Sequence, residues 1–255
     1  MQIQILVATM NQSDHSLIKK MNIKTNAIVG NQCGFNSVET FNVGEQKIQY
    51  LNFAERGVGL NRNNALMRAD ADVCLFADDD MIYEDNYVEI IEKAFCRHPD
   101  ADVIVFNLKE KVVTRKLITK ECRVGYLNYL RYGTARIAIH LDSIKKHGIY
   151  FNQCFGGGTE HCHGEDTIFL NACLNNKLKV YAVPDYIATL TEERDSSWNN
   201  GYDKKYIMDQ GVLFRTLSRR WWIIMCLQDA IRHHKLYNMG ICKAFVLMVR
   251  KTNND

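Results

Sequence analysis

Short apolar runs rich in Val, Ile and Leu recur at residues 3–9, 27–30, 48–53, 73–77, 103–107, 135–140 and 178–183, separated by segments of helical periodicity at 14–21, 60–68, 85–95, 165–174 and 204–217. That alternation is what parallel strands joined by crossover helices require, so the chain reads as α/β with a mostly parallel central sheet flanked by helices. Several runs are almost wholly apolar, which suits a sheet covered on both faces. Ligands of such sheets sit beyond the carboxyl ends of the strands, and that is where chemistry should be sought.

The 255 residues are 47% apolar and 24% charged, enough to build a sizeable core. The opening MQIQILVAT lacks the basic and apolar regions of a signal peptide and reads as a first strand. Nine scattered cysteines with no C-x-x-C pair suggest reduced thiols in a cytoplasmic protein, not a disulfide framework. No apolar run approaches the roughly 20 residues that cross a bilayer. The net charge of +3 is uneven: residues 215–251 hold eight Lys and Arg against the single acid Asp229. Composition changes most abruptly near Arg215, where a C-terminal appendage is expected.

Three blocks carry candidate chemistry. In VCLFADDDM, over residues 73–81, a buried-looking strand runs into Asp78, Asp79 and Asp80. Alternation along a strand would turn Asp78 and Asp80 to one side and Asp79 away. Their repulsion is relieved by a hard cation, Mn²⁺ or Mg²⁺, that takes oxygen ligands and shares them with substrate phosphates. The same acids would also suit a solvated loop. Upstream, RGVGLNRNNA over 56–65 is a glycine-rich turn entering a helix, where free N–H groups and Arg62, with Arg56, are candidate anion contacts. Downstream, FGGGTEHCHGEDT over 155–167 sets Glu165 and Asp166 in the first turn of a helix, where the dipole favours an ionised carboxylate that accepts a proton. Ordinary capping by acids accounts for that position equally well. His161, Cys162, His163 and Cys154 match no standard zinc spacing and read as acceptor contacts or loop packing.

In this order the blocks resemble those of a family 2 glycosyltransferase of GT-A fold, the kind that builds bacterial surface polysaccharides. The resemblance spans about residues 3 to 215 and includes ILVATMN at 5–11, SSW at 196–198 and GYDKKY at 201–206. It implies a catalytic unit over 1–215, with a nucleotide-binding half to 107 and an acceptor-binding half from 108, followed by a helical tail over 216–255. It further implies an inverting transfer from a nucleoside-diphosphate sugar, expected to be a UDP-sugar, to a hydroxyl of a glycan or lipid-linked acceptor. By that likeness Thr9, Asn11, Asn31, Gln32, Arg56, Arg62, Asp78 and Asp79 bind the donor. Asp80, with Asp78, holds the metal; Asp166 is the base beside Glu165; and Gly157, Gly158, His163 and Trp198 meet the acceptor. Two departures stand out: Asn31 and Gln32 replace the paired aspartates common at the second strand, and no histidine follows the Glu165–Asp166 block before His233.

The tail combines RRWWIIMCL at 219–227 with RHHK at 232–235 and AFVLMV at 244–249, a mixture suited to the cytoplasmic surface of a membrane. Packing on the catalytic unit or a homodimer interface would use the same residues. A dinucleotide-dependent oxidoreductase is the enzymatic rival, since Gly57 and Gly59 precede a helix and Asp78 lies about 20 residues on. Arg62 stands against it, because it occupies the place of the third glycine. A cation-dependent carbohydrate-binding module is the non-catalytic rival. Nucleic acid is not an expected partner, because the basic residues cluster among apolar ones instead of lining a groove.

Overall fold

A computed structural model describes residues 1–111, 116–191 and 201–250. In chain order the elements are β1 (Ile3–Met10), α1 (Leu17–Lys20), β2 (Asn26–Gln32), β3 (Ser37–Val43), β4 (Gln46–Phe53), α2 (Val58–Arg68), β5 (Val73–Asp78), β6 (Met81–Tyr83), α3 (Tyr87–Arg97) and β7 (Val103–Lys109). There follow β8 (Cys122–Val124), β9 (Ile137–His140), α4 (Leu141–Lys146), α5 (Glu165–Asn175), β10 (Val180–Leu190), α6 (Lys204–Leu217), α7 (Trp222–His233) and α8 (Ile241–Val249).

The strands form one sheet in the order β3-β4-β2-β1-β5-β9-β7-β10-β6, with β8 beside β10. β4, β2, β1 and β5 are parallel, whereas β9 runs against both β5 and β7. Strand periodicity sorts the apolar residues into two cores. Leu6, Ile28, Cys74 and Phe76 face one side, under α2, α5 and the C-terminal helices. Ile5, Val7, Val29, Leu75 and Ala77 face the other, under α1 and α3.

Each apolar run of the sequence occupies a strand, but four short elements, β3, β6, β8 and α4, have no counterpart in the periodicity. β3 is an edge strand whose residues are mostly exposed, so burial leaves little apolar signature on it. The segment 14–21 yields only the single turn α1, because the Asp14 side chain accepts a bond from Ser16 N at 2.8 Å in a local turn.

The C-terminal helices continue the first core: Ile207, Leu213, Phe214, Cys226, Ala230 and Met248 are buried in it. Asp203 caps α6 by accepting from Tyr206 N at 2.7 Å, a contact worth about 1 kcal/mol. Gly211 permits α6 and α8 to touch, since a Cβ there would stand 1.9 Å from the Met248 carbonyl oxygen. No described helix is long and apolar enough to cross a membrane.

Candidate active site

The site is built where β5 ends against β1. Ala8 pairs with Asp78 in the parallel register, which brings Thr9 beside the acidic run. Thr9 Oγ1 donates to Asp79 Oδ2 at 2.6 Å and accepts from Gln12 Nε2 at 2.9 Å. Asp79 is therefore turned toward the end of β1, and neither it nor Asp80 is among the residues lining the cavity at Asp78. The strand stops at Asp78, and residues 79 and 80 form a turn into β6, so strict alternation does not extend to Asp80. That turn is held by Thr191, whose N–H and hydroxyl both donate to the Asp80 carbonyl at 2.7 and 3.1 Å.

Arg62 projects from the first turns of α2 with its side chain only 5% exposed; acids hold both of its Nη groups, while Nε is buried without a hydrogen-bond partner. Nη2 donates to Asp78 Oδ1 at 2.7 Å and Nη1 to Glu165 Oε1 at 2.8 Å. Burial works against the guanidinium charge, but Asp78 and Glu165 outweigh it and hold its pKa above the ordinary value. The guanidinium carbon lies 5.5 Å from the centre of the Phe151 ring, a cation–π contact. Arg62 thus ties the end of β5 to the start of α5, where its place in the sequence points to an anion contact.

Beneath that tie sits an aromatic trio. Phe76, two residues before Asp78, meets Phe151 and Phe169 edge-on at 4.9 and 5.5 Å. Phe151 and Phe169 stack at 4.4 Å. Such pairs contribute about 0.5–1.5 kcal/mol each beyond their area. They fix the strand carrying Asp78 against the helix carrying Asp166.

The glycine loop explains its own composition. Gly156 has φ +101°, and a Cβ on it would stand 2.7 Å from both Glu165 Cδ and Val58 Cγ1; Gly164, at φ +110°, would meet Leu213 of α6 at 2.8 Å. Only glycine fits those positions. Asp166 Oδ1 accepts from Thr167 N at 2.7 Å. The helix dipole predicts a low pKa for Asp166, and the structure corrects this: burial, and then the adjacent Glu165 charge, push the carboxyl up to about 7. Desolvation of a half-buried acid beside another acid exceeds the benefit of one helix end.

Arg62, Asp78, Glu165 and Asp166 line a single cavity of about 140 Å³, closed on its far side by Leu108 and residues 133–136. Gly133 lies against the acid: a Cβ there would be 3.4 Å from Asp166 Oδ2, an ordinary contact. Thr134, also in that wall, is buried, and its hydroxyl has no hydrogen-bond partner. Arg136 is buried beside it, donating to the Arg131 carbonyl at 2.8 Å and lying over the Tyr132 ring. The sequence marks neither Thr134 nor Arg136 as a site residue: the strand expected over 135–140 begins only at Ile137, and residues 134–136 form a 3₁₀ turn ahead of it. A larger hollow of about 200 Å³ shares Leu108 and is lined by Lys109, Glu110, Leu117 and Tyr186; it lacks converging acids, so the smaller cavity is the candidate site.

The remaining candidates are distributed unevenly. Asn31 is buried and latched to the β1–α1 loop, exchanging bonds with the Gln12 backbone at 3.0 Å and donating to Asn52 Oδ1 at 2.7 Å. Gln32 accepts from Gly57 N at 2.9 Å and so fixes the glycine-rich turn. Asn11, at φ +54°, donates its backbone N–H to the Gln32 carbonyl at 3.0 Å. Arg56 is exposed and donates to its neighbour's carbonyl, that of Glu55, at 3.2 Å. Gly157 accepts from Val58 N at 3.0 Å, and Gly158 adopts φ +83°.

His163 is a packing residue: it stacks on Tyr206 at 4.1 Å, its Nε2 lies 2.7 Å from Gln210 Oε1, and burial lowers its pKa. His161 Nδ1 stands 3.0 Å from Asp209 Oδ1, and the Cys162 N–H donates to Asp209 Oδ2 at 3.0 Å. Asp209, absent from the sequence reading, is the α6 residue that grips the loop. Trp198 lies outside the described residues.

The set near Asp78 is all oxygen, which suits a hard cation. Among the described residues no group of three or more His, Cys, Asp or Glu is arranged to hold a metal. A divalent ion held by one or two carboxylates and completed by substrate phosphates needs no such group.

Residues 36–153 match the family profile described as Glycosyl transferase family 2. The match takes in 118 of the 255 residues and is a likeness to that family. The matched segment contains Arg62, Asp78 and the wall at 133–136, and it ends before the glycine loop. No curated protein matches the chain in sequence. Among solved structures it is similar to residues 1–349 of S. aureus TarS in complex with UDP-GlcNAc, at 16% identity and a TM-score of 0.65, covering 98% of this chain and 76% of that one. The same region in complex with UDP gives 17% identity and a TM-score of 0.61, with coverage of 98% and 76%. The longer TarS structure gives 15% and 0.64, covering 98% of this chain and 46% of that one. These likenesses show the fold, a central sheet flanked by helices of the GT-A kind.

Proposed function

We propose that the chain transfers a sugar from a nucleoside-diphosphate donor, of the UDP-sugar class, to a hydroxyl of a glycan or lipid-linked oligosaccharide, with inversion at the anomeric carbon. The observation that carries this reading is the shared cavity of Asp78, Glu165 and Asp166. The TarS structures with UDP-GlcNAc and UDP favour uridine over other bases.

In this reading Asp166 removes the proton of the acceptor hydroxyl. The oxygen then attacks the anomeric carbon as the bond to the diphosphate breaks on the opposite face. A carboxyl with a pKa of about 7 is matched to that task near neutrality, being ionised in part and basic enough to take the proton. Glu165 orients Arg62 and keeps Asp166 basic through its charge. Asp80 and Asp78 would hold Mn²⁺ or Mg²⁺, which supplies positive charge to the departing diphosphate. Thr9 and Asp79, joined by their hydrogen bond, border the donor side.

The test is a thermal-shift panel of nucleoside diphosphates with and without Mn²⁺, because a ligand of the folded state raises apparent stability. UDP should raise Tm more than GDP, CDP or ADP, and Mn²⁺ should enlarge the shift. Asp166→Asn should keep the shift and lose transfer, whereas Asp80→Ala should lose the Mn²⁺ increment. Stabilisation by NADH with none by any diphosphate would restore the oxidoreductase, and glycan binding without turnover would restore the binding module.

A further inference from the structure

We infer that the outward face of α7 is a docking surface for an anionic lipid bilayer. α7 turns Cys226, Asp229 and Ala230 inward, the i, i+3, i+4 set of a helix packed on a core. Its opposite side should then be polar. Instead Ile223, Leu227 and Ile231 follow one another at four-residue spacing along the exposed side, with Ile224 and Trp221 next to them. Trp221, Ile223, Ile224 and Ile231 each keep more than half of their surface in solvent. A contiguous apolar stripe on a helix already anchored through its other face marks an interaction surface.

Charge identifies the occupant. Between residues 211 and 250 the sequence has seven Lys and Arg and one acid, Asp229. Asp229 is turned inward, accepting from the Tyr237 hydroxyl at 2.5 Å and lying 2.9 Å from His233 Nδ1. Arg219 and Arg220 precede the stripe, and Arg232 and Lys235 follow it, all exposed. Apolar side chains bracketed at both ends by exposed cations that pair with no acid among the described residues, with an interfacial Trp among them, match a headgroup layer of negative charge over acyl chains. A second copy of this chain would bring the same cations face to face. Because Asp209 and Gln210 of α6 fix the glycine loop, and α6 packs on α7, docking would hold the catalytic cavity at a set distance from the lipid surface.

The experiment is flotation of the full chain with vesicles of phosphatidylglycerol and phosphatidylcholine, and with phosphatidylcholine alone. No donor is present, so failure here leaves the transferase reading standing, and failure of that reading leaves this one standing. Binding is expected to the anionic vesicles only and to fall in high salt. Arg219→Gln with Arg220→Gln should weaken it about fivefold per residue, the equivalent of about 1 kcal/mol per basic residue near the surface. Ile223→Ser with Ile231→Ser should abolish it while leaving Tm within a few degrees, since both side chains point outward. No binding by the wild type overturns the proposal. So does a dimer in sedimentation that the Ile223→Ser and Ile231→Ser variant converts to monomer, which would assign the face to a second copy.

Discussion

Arg62 Nη1 and Glu165 Oε1 stand 2.8 Å apart although 103 positions separate the two residues in the chain. This ion pair, continued to Asp78 by the other fork of the same guanidinium, joins the two acidic blocks into one site. Arg62→Met should leave Glu165 without its buried partner and lower stability by roughly 3 kcal/mol, read from urea unfolding. Arg62→Lys should recover only part of this, because a single ammonium cannot present the planar fork.

The pKa of Asp166 gives a pH prediction with two signs. The transfer rate should rise with pH through about 7 as the carboxyl ionises, measured as kcat/KM between pH 5.5 and 8.5. Stability should move the other way. With the folded value raised above the ordinary 3.8, the native state binds more protons than the unfolded one between about 4 and 7, so stability falls as pH rises across that window. The difference in unfolding free energy between wild type and Asp166→Asn isolates this group, and a flat difference would remove the assigned pKa.

Thr134 buries a hydroxyl without a partner in the cavity wall. Thr134→Val keeps the shape and removes the unsatisfied group, so Tm should hold or rise, by up to about 1 kcal/mol of stability. If the hydroxyl meets substrate, KM should rise severalfold in the same variant. Steady-state kinetics and a melting curve on one preparation read both.

At Gly211 the clash with the Met248 carbonyl is with backbone, which cannot rotate aside. Gly211→Ala should therefore cost about 1–3 kcal/mol and loosen α8 first. Hydrogen exchange over residues 241–249, compared with exchange over β1, would show whether the loss is local.

Much of this architecture is legible in sequence because two-faced burial writes a strong signal: VCLFA must be inside, and the Asp78 that follows must lie at a strand end. The glycine loop is legible for a similar reason, since three glycines before two acids announce unusual backbone. β3 left one readable clue, Gly44 at φ +61° in the turn between Val43 and Gln46, which is the mark of a hairpin. What resists reading is which partner a polar side chain chooses. Arg62 at a helix start looks like an anion contact until the fold delivers Glu165 to it. Asn31 and Gln32 look like ligand contacts, yet their amides are engaged by Gln12 and Gly57. His163 and Asp209 find each other's neighbourhood only when α6 is laid beside the loop. Local propensity carries no information about any of these long-range choices.

The contact of Gly164 with Leu213 has a bearing on how this protein can be cut. The backbone that introduces Glu165 and Asp166 leans on a side chain of α6, and α6 leans through Gly211 on Met248 of α8. Removing α6 would strip the backing from the turn that introduces Glu165 and Asp166, and removing α8 would take away what α6 rests on, so the C-terminal helices behave as the rear wall of the candidate site, and a fragment lacking them would inherit its sequence without its geometry.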